Sequence, residues 1–265
     1  FVIFTLTPLR NALTLASQDA ESTAWELYAS TFHGGFANGW TGGFAPVLPS
    51  CPQFCVMGPL FHFLNEALGN VALAVFLSAF SETFISYSSQ TLNAQMAYNM
   101  EQRQRGTGLE VPLWNVLVPL GPGATVHIAR NIIGLAGIRI FSKPCASAVR
   151  RLLDYSGLGL PDDLRGFIGD LVSSMCAAVL SAPLNQCYNF AVTSREFKTL
   201  DTGGRLLALR TFLSDQYLVR DFAGSVVGFA PTLPRDLFMR CAYVGTLYAM
   251  FSTIERIFVT LARRW

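Results

Sequence analysis

The chain has 265 residues, of which 51% are hydrophobic and only 14% are charged, and its mean hydropathy is +0.38. This balance suits solvation by lipid better than solvation by water, so the composition favours a membrane protein over a soluble enzyme. The formal net charge is +2 and the sequence has no dense basic run. Nucleic-acid binding therefore has no support.

The most informative pattern is a repeated heptapeptide. Residues 43–49 read Gly-Phe-Ala-Pro-Val-Leu-Pro, and residues 228–234 repeat this sequence with six identities in seven positions. Each copy begins a long apolar stretch, so the repeat marks the start of a membrane-length helix twice. The chain is therefore predicted to be internally repeated.

The first half of the chain predicts a series of spanning segments. The first residues are expected to be the end of a spanning helix that closes near Pro8 and whose beginning is missing, and residues 14–38 hold an amphipathic stretch. Residues 44–68 are apolar but rich in proline, which predicts a bent spanning helix because neighbouring helices can satisfy the freed carbonyls. A glycine-asparagine pair then predicts a tight turn into an antiparallel span over residues 71–100.

The second half continues the same alternation. Apolar runs predict spanning helices over residues 120–141, 166–193 and 231–261. Charged and apolar positions alternate over residues 195–225, which predicts a short amphipathic helix at a membrane surface. The predicted unit is a span, a surface helix and a second span.

Two motifs carry a resemblance to a known family. Residues 228–236 read Gly-Phe-Ala-Pro-Thr-Leu-Pro-Arg-Asp, and a Trp-Thr-Gly sequence at 40–42 precedes the first heptapeptide. They resemble the helix opening Gly-Phe-x-Pro-x-x-x-Arg and the aromatic-basic-glycine signature of the mitochondrial carrier family. The resemblance covers essentially the whole chain and implies three repeats, at residues 1–69, 70–153 and 154–265.

The resemblance also implies a fold and a location. We expect an all-α membrane protein with six transmembrane helices, the first of them truncated, and with short amphipathic helices on the matrix side. It implies a multi-pass protein of the mitochondrial inner membrane whose partners include membrane lipids. Cardiolipin is the lipid that the resemblance suggests, and no cofactor is expected.

The family's Pro-x-acid-x-x-base motif at the end of each odd-numbered helix is degenerate here. The corresponding matrix-gate positions are Pro8, Arg10 and Leu13 in the first repeat, Ser88, Gln90 and Asn93 in the second, and Pro183, Asn185 and Tyr188 in the third. No repeat keeps an ion pair, and residues 62–66, 142–145 and 248–252 do not reproduce the family's aromatic-acid-x-x-base pattern of the opposite side. A gate of this kind would have to close through amide hydrogen bonds, each weaker than a charge-assisted pair.

By the same resemblance, six residues are candidates for substrate contact in a central cavity: Ser50, Cys51, Arg130, Asn131, Arg235 and Asp236. An arginine within a membrane span is expensive, so Arg130 and Arg235 should face protein or a water-filled cavity, where a guanidinium binds a carboxylate or phosphate. The Arg-Asn pair at 130–131 resembles carriers of keto acids and other carboxylates. Glu82 is a candidate buried counter-ion. The alternative is therefore that the arginines of the spans are merely neutralised by carboxylates and backbone carbonyls; the residues concerned are Arg130, Arg139, Arg235 and Arg240 with Glu82, Asp170 and Asp236.

Other chemistry finds little support in the sequence. The histidines are scattered, and the six cysteines fall mostly in apolar segments without a CxxC pair, so no metal site is predicted. No nucleophile elbow, phosphate loop or pair of catalytic acids is present. We therefore expect no catalytic residues and no enzymatic activity.

Two functional hypotheses remain open. The first is a carrier that exchanges a small carboxylate across the inner membrane. The second is a carrier fold that no longer transports and serves as a structural subunit of a large inner-membrane complex, for example a respiratory complex or ATP synthase. The missing ionic latches make the second a serious rival, because their loss costs a transporter more than a scaffold.

Overall fold

The computed structural model describes residues 2–157 and 159–262, and most of these residues are helical. The amino-terminal part begins with short elements. In chain order these are α1 (Val2–Thr5), α2 (Thr7–Leu15), α3 (Ala24–Ser30) and a 3-10 segment (Phe36–Trp40). Pro8 lies in the first turn of α2, where its missing N–H leaves no hydrogen bond unmade. Thr23 and Glu26 form a capping box that starts α3.

The proline-rich stretch predicted as one bent helix is divided into shorter segments. These are α4 (Phe44–Val47), α5 (Ser50–Cys55), a π-helical segment (Val56–Leu60) and α6 (Phe61–Leu68). Pro49 lies in the turn between α4 and α5, and Pro59 lies inside the π-helical segment. A proline removes one helical hydrogen bond and crowds the preceding turn, which explains the division.

The middle of the chain forms two long helices. They consist of α7 (Val71–Arg105) and of α8 (Ala124–Ala136), which continues through a π-helical segment (Gly137–Phe141) into α9 (Ser142–Tyr155). The side-chain oxygen of Asn70 accepts the N–H of Leu73 at 3.0 Å and caps α7, as the glycine-asparagine pair predicts. Residues 106–123 contain no helix, so the surface helix expected between these two spans is not present there.

The carboxy-terminal part contains the remaining elements. They are α10 (Asp162–Thr193), a 3-10 segment (Glu196–Lys198), α11 (Thr202–Tyr217), β1 (Leu218–Arg220), β2 (Val226–Phe229), α12 (Thr232–Arg240), a third π-helical segment (Cys241–Gly245) and α13 (Thr246–Ala262). One π-helical segment thus lies within each of three helical stretches, namely α5 to α6, α8 to α9 and α12 to α13.

A small β-hairpin departs from the all-α expectation. Strands β1 and β2 pair antiparallel, with Val219 opposite Gly228, so residues 195–225 hold the short helix α11, as predicted, and after it a strand that was not predicted. The turn between the strands is stabilised by the carboxylate of Asp221, which accepts the N–H groups of Ala223 at 2.9 Å and Ser225 at 2.8 Å. These local hydrogen bonds and the β-branched valines favour a hairpin over continued helix.

Four of the described helices are long and apolar enough to cross a membrane. They are Val71–Arg105, Ala124–Tyr155, Asp162–Thr193 and Thr232–Thr260. A span needs about 20 apolar residues, and a helix of that length can satisfy all of its backbone groups internally. The chain is therefore a multi-pass, mainly helical membrane protein.

Small residues allow the long helices to approach one another closely. A Cβ atom added to Gly137 would overlap the Cβ of Ala177 on α10, and the hydroxyl of Ser173 donates to the carbonyl of Gly137. Such small-residue contacts are typical of helix pairs in membranes. Helices α2, α7 and α10 also contact one another pairwise, and the remaining helices pack around them.

Candidate functional site

Side chains from most of the helices line one central cavity, with about 900 Å³ of atom-free space that includes its opening to solvent. Its charged and amide-bearing wall residues are Arg10, Gln53, Glu82, Gln90, Arg130, Asn131, Asn185, Asn189 and Arg240. Aromatic side chains fill much of the remaining wall, namely Phe54, Tyr188, Tyr243, Tyr248 and Phe251.

Among the three arginines that line the cavity, Arg130 on α8 makes the most hydrogen bonds. Its guanidinium donates to the side-chain oxygens of Asn185 at 3.1 Å, Gln90 at 2.8 Å and Asn131 at 3.3 Å. It also lies 4.8 Å from the centre of the Tyr188 ring, a distance that permits a cation–π interaction. All of these partners are neutral, so they fix the orientation of the guanidinium while its full positive charge remains.

Two further arginines enter the cavity with fewer partners. Arg10 on α2 and Arg240 on α12 both line it, and within residues 2–157 and 159–262 neither guanidinium makes a hydrogen bond. The Nε of Arg240 is buried without a partner, and its guanidinium lies 6.0 Å from the centre of the Tyr243 ring. A buried donor without an acceptor is costly, so Arg240 in particular is suited to binding an anionic ligand.

Glu82 on α7 is the single carboxylate among the described residues that line this cavity. Its carboxylate accepts hydrogen bonds from the side-chain amides of Gln53 and Asn131. The amide of Asn131 also lies 3.0 Å from the Nδ1 atom of His127, which is completely buried. Because Asn131 contacts both Arg130 and Glu82, it bridges the two charged groups without a direct ion pair between them.

Amide hydrogen bonds close the cavity at the surface-helix end, defined here as the end of the bundle near α3 and α11. The side chain of Asn93 on α7 donates to the side-chain oxygen of Asn11 on α2 at 3.2 Å. Gln95 on α7 donates to the carbonyl of Val192 on α10 at 2.9 Å, and Asn189 on α10 donates to the carbonyl of Leu13 on α2 at 3.0 Å. The three helices are thus joined in a ring of neutral contacts.

A charged cluster joins helices at the opposite end. Arg139, in the π-helical segment after α8, lies 3.0 Å from the carboxylate of Glu255 on α13, and His62 on α6 lies 3.3 Å from the same carboxylate. Arg139 also donates to the carbonyl of Met57 at 2.6 Å. A π-helical turn frees carbonyls of this kind, since its hydrogen-bond register is locally shifted.

The structure brings two of the six predicted substrate-contact residues into the cavity, Arg130 and Asn131. Ser50 and Cys51 lie elsewhere because α5 begins at Ser50 after the Pro49 turn. There the hydroxyl of Ser50 donates to the carbonyl of Val47, and Cys51 is exposed on the outside. The neighbouring Gln53 faces the cavity instead.

Arg235 and Asp236 also lie away from the cavity, because α12 begins at Thr232 and its first turn sits at the surface-helix end. The guanidinium of Arg235 donates to the carbonyls of Ala16, Asp19 and Ser22 at 2.7 to 2.9 Å and forms an ion pair with Asp236. This arginine therefore satisfies carbonyls that follow the carboxyl end of α2.

The degenerate gate positions are divided between the cavity and the closure. Arg10, Leu13, Gln90, Asn185 and Tyr188 line the cavity. The others lie off it: Pro8 in the first turn of α2, Ser88 with its hydroxyl on the carbonyl of Val118, Asn93 in the amide ring, and Pro183 inside α10.

Sequence reasoning missed several residues of this site. Gln53 and Tyr243 line the cavity, and Glu255 supplies the carboxylate of the charged cluster. Arg240 and Arg139 were considered only as arginines that carboxylates neutralise, not as residues of the cavity and of this cluster. A usable signal existed for Arg240, since a charged residue inside an otherwise apolar span commonly faces a cavity or a partner. No local signal pairs Arg139 with Glu255, because they are 116 residues apart.

Outside the spans, the loop after α2 has its own charged contact. Partial burial opposes ionisation of Asp19, but the backbone N–H groups of Ser22 and Glu21, the Ser22 hydroxyl and Arg105 outweigh this effect and hold the Asp19 pKa below its ordinary value. Arg105 lies at the end of α7, so the contact ties the loop to that helix.

No protein-family model matches the chain, and no curated protein matches it either. Within residues 2–157 and 159–262, no group of three His, Cys, Asp or Glu side chains could hold a metal ion.

Proposed function

We propose that this chain is a divergent, mitochondrial-carrier-like protein of the inner membrane that exchanges a small carboxylate through the central cavity. The observation that carries the proposal is the charge balance of the cavity. Three guanidiniums, those of Arg10, Arg130 and Arg240, face a single carboxylate, that of Glu82. Such an excess of positive charge, held by neutral amides and aromatic rings, suits an anion that carries two or more negative charges.

The three arginines differ in their hydrogen bonds, and this difference would orient the ligand. Arg130 is fixed by amide oxygens, whereas Arg10 and Arg240 make no hydrogen bond within the described residues. A dicarboxylate could place one end on Arg130 and offer the other end to Arg10 or Arg240. The bound anion would then accept hydrogen bonds from these guanidiniums.

The arrangement of the helices supports three repeats and six spans. In this proposal α1 and α2 are the end of the first span, and the segments from α4 to α6 form the second. The four long helices supply the other spans. One π-helical segment occurs in each of the second, fourth and sixth spans so defined, at Val56–Leu60, Gly137–Phe141 and Cys241–Gly245. A repeated helix geometry at matching places is what descent from three copies of one unit would leave.

The contacts at the two ends of the cavity support alternating access, with amide hydrogen bonds as the gate at one end and a charged cluster as the gate at the other. At the surface-helix end, which the family resemblance would put on the matrix side, amide hydrogen bonds replace the ionic latches. Each such bond contributes about 1 kcal/mol net, so the ring is strong enough to hold a state and weak enough to open. The cluster of His62, Arg139 and Glu255 would close the other end.

Uptake into liposomes tests the proposal. The purified protein should exchange radiolabelled succinate above the level of protein-free vesicles. The variants Arg130→Gln and Arg240→Gln should each slow exchange about tenfold or more, since losing one charge-assisted contact costs at least ~1.4 kcal/mol. Arg150→Gln is the matched control, because Arg150 is exposed on α9, and it should leave the rate unchanged. Absence of exchange for every carboxylate offered would refute transport.

The second candidate function is a structural subunit of a large inner-membrane complex. The β-hairpin favours it, because Phe222 is fully exposed and Phe229 and Val227 are 74% and 62% exposed outside the four candidate spans. Exposed apolar side chains outside the membrane are typical of contact surfaces. Stable co-purification with a large complex, together with no exchange in liposomes, would favour this function, and Phe222→Ser with Phe229→Ser should then release the chain.

A further inference from the structure

Among the residues that the structure describes, Glu82 has neutral hydrogen-bond partners and no direct contact with an arginine. Its side chain lies in the cavity wall and is only 5% exposed, yet its hydrogen-bond partners are the neutral amides of Gln53 and Asn131. An ionised carboxylate that is buried without a cationic partner is costly, and protonation to the neutral acid relieves this cost. A primary amide suits either form, because its N–H₂ donates to a carboxylate and its oxygen accepts from a carboxylic acid.

Charged and titratable groups surround Glu82 on several elements. They are Arg130 and His127 on α8, Tyr188 on α10 and Tyr248 on α13, with the neutral Gln53 on α5. Arg130 is the nearest cation, and Asn131 stands between it and Glu82. The positive charge of Arg130 favours ionisation of Glu82 before an anion binds. Because the two groups are not in direct contact, a bound anion can offset this attraction.

A bound anion changes this balance. While the cavity is empty, the Glu82 carboxylate offsets part of the charge of Arg10, Arg130 and Arg240. A negatively charged ligand on those arginines repels the carboxylate and removes the positive field that favoured it. Ligand binding therefore favours protonated Glu82, and by linkage protonation of Glu82 tightens ligand binding by the same factor.

We propose that Glu82 takes up a proton when an anion binds, so that the chain carries its anion together with a proton. This inference rests on the proposed anion exchange. On binding, the carboxylate of Glu82 forms an O–H bond with a proton from cavity water. On release at the other side that bond breaks, and the proton returns to water there. No electrons move, and the net charge carried with each anion becomes less negative by one.

Calorimetric titration in detergent measures the proton directly. Sulfate is the main probe because it does not titrate in the working range, so any proton taken up belongs to the protein, and succinate is the second probe. Binding heats in buffers of different ionisation enthalpy, compared between about pH 5 and 8, give the number of protons taken up per anion. We expect about one proton at the upper end of this range, where affinity should weaken by up to about tenfold per pH unit.

Variants assign the proton to a residue. Glu82→Gln keeps the size and hydrogen-bonding shape of the side chain, and it should bind the anion with proton uptake near zero and with an affinity that no longer depends on pH. Glu66→Gln, which changes an exposed carboxylate on α6, should behave like the wild type. Proton uptake that persists in Glu82→Gln and vanishes in His127→Gln would assign the proton to His127 and overturn the proposal.

Different results would refute anion binding and proton uptake. If neither sulfate nor succinate binds or is taken up by liposomes, the anion function itself is refuted. If an anion binds and exchanges while no proton is taken up at any pH, the function stands and the proton role of Glu82 is refuted.

Discussion

The guanidinium of Arg139 and the carboxylate of Glu255 lie 3.0 Å apart and join the second and the last of the four long helices at one end of the cavity. The contact is well shielded, since the Arg139 side chain is 9% exposed and that of Glu255 is 24% exposed. Arg139 also lies 4.8 Å from the centre of the Phe61 ring, so the same residue holds the α5–α6 region. Three separate parts of the chain thus meet at one salt bridge.

This pair should show a measurable coupling energy. Arg139→Gln and Glu255→Gln should each destabilise the protein, and the double variant should lose less than the sum, with a coupling of about 1 to 3 kcal/mol. Thermal unfolding in detergent measures all members of the cycle. Arg103 and Glu110 form an exposed control pair, with side chains 68% and 37% exposed, whose coupling should stay below about 1 kcal/mol. Equal coupling in both pairs would contradict the shielded contact.

Two buried glutamines should respond oppositely to the same substitution. Gln95 donates to the Val192 carbonyl and accepts the N–H of Trp114, whereas both polar atoms of the Gln186 side chain are buried without a partner. Gln95→Leu should lower the unfolding free energy by about 2 kcal/mol or more, because it leaves two backbone groups unpaired. Gln186→Leu should be neutral or stabilising. Thermal unfolding of both variants gives the comparison. Equal losses of unfolding free energy would show that the hydrogen bonds of Gln95 in the amide ring contribute nothing.

The close approach of α10 to the π-helical segment after α8 predicts a rescue. Gly137→Ala should destabilise the protein by about 1 to 3 kcal/mol, because the new methyl group overlaps the side chain of Ala177. Adding Ala177→Gly should recover most of the loss, since it removes the overlapping atom. Gly69→Ala is a poor control because Gly69 has a positive φ of 62°, so Gly228→Ala, where a Cβ meets open space, serves instead. Failure of the second substitution to rescue the first would contradict this packing.

Asp19 predicts a pH dependence outside the membrane. Its pKa is lowered in the folded protein, so its contribution is fully present above the unfolded value of about 3.9 and is lost as the pH falls through the folded value. Asp19→Asn should therefore lower the free energy of unfolding by about 1 kcal/mol at neutral pH. This gap between the variant and the wild type should narrow below about pH 4. Unfolding curves at several pH values measure the gap. Glu21→Gln, an exposed neighbour, should show no gap, and a gap for Asp19→Asn that grows with acid would contradict the sign.

Much of the local structure was predictable because it depends on neighbouring residues. The apolar run over residues 166–193 predicted most of α10, and the glycine-asparagine pair predicted the turn and the cap of α7. The prolines between residues 44 and 68 predicted a bend, although they divide the helix further than expected. Arg130 and Asn131 were identified as cavity residues on the family resemblance together with the cost of placing a charge in a membrane.

Register and long-range contact could not be predicted in the same way. Arg235 was expected in the cavity, but it lies in the first turn of α12, where it donates to backbone carbonyls that follow the carboxyl end of α2. Arg240, about one and a half turns further along, faces the cavity instead. The sequence by itself determined the membrane-length helices, their turns and the excess of arginine over acid within them, since these follow from composition and short-range pattern. Only the tertiary structure decided which arginines share the cavity with Glu82, which amides close one end and which charges close the other, because a helix presents a new face every residue and its neighbours come from distant parts of the chain.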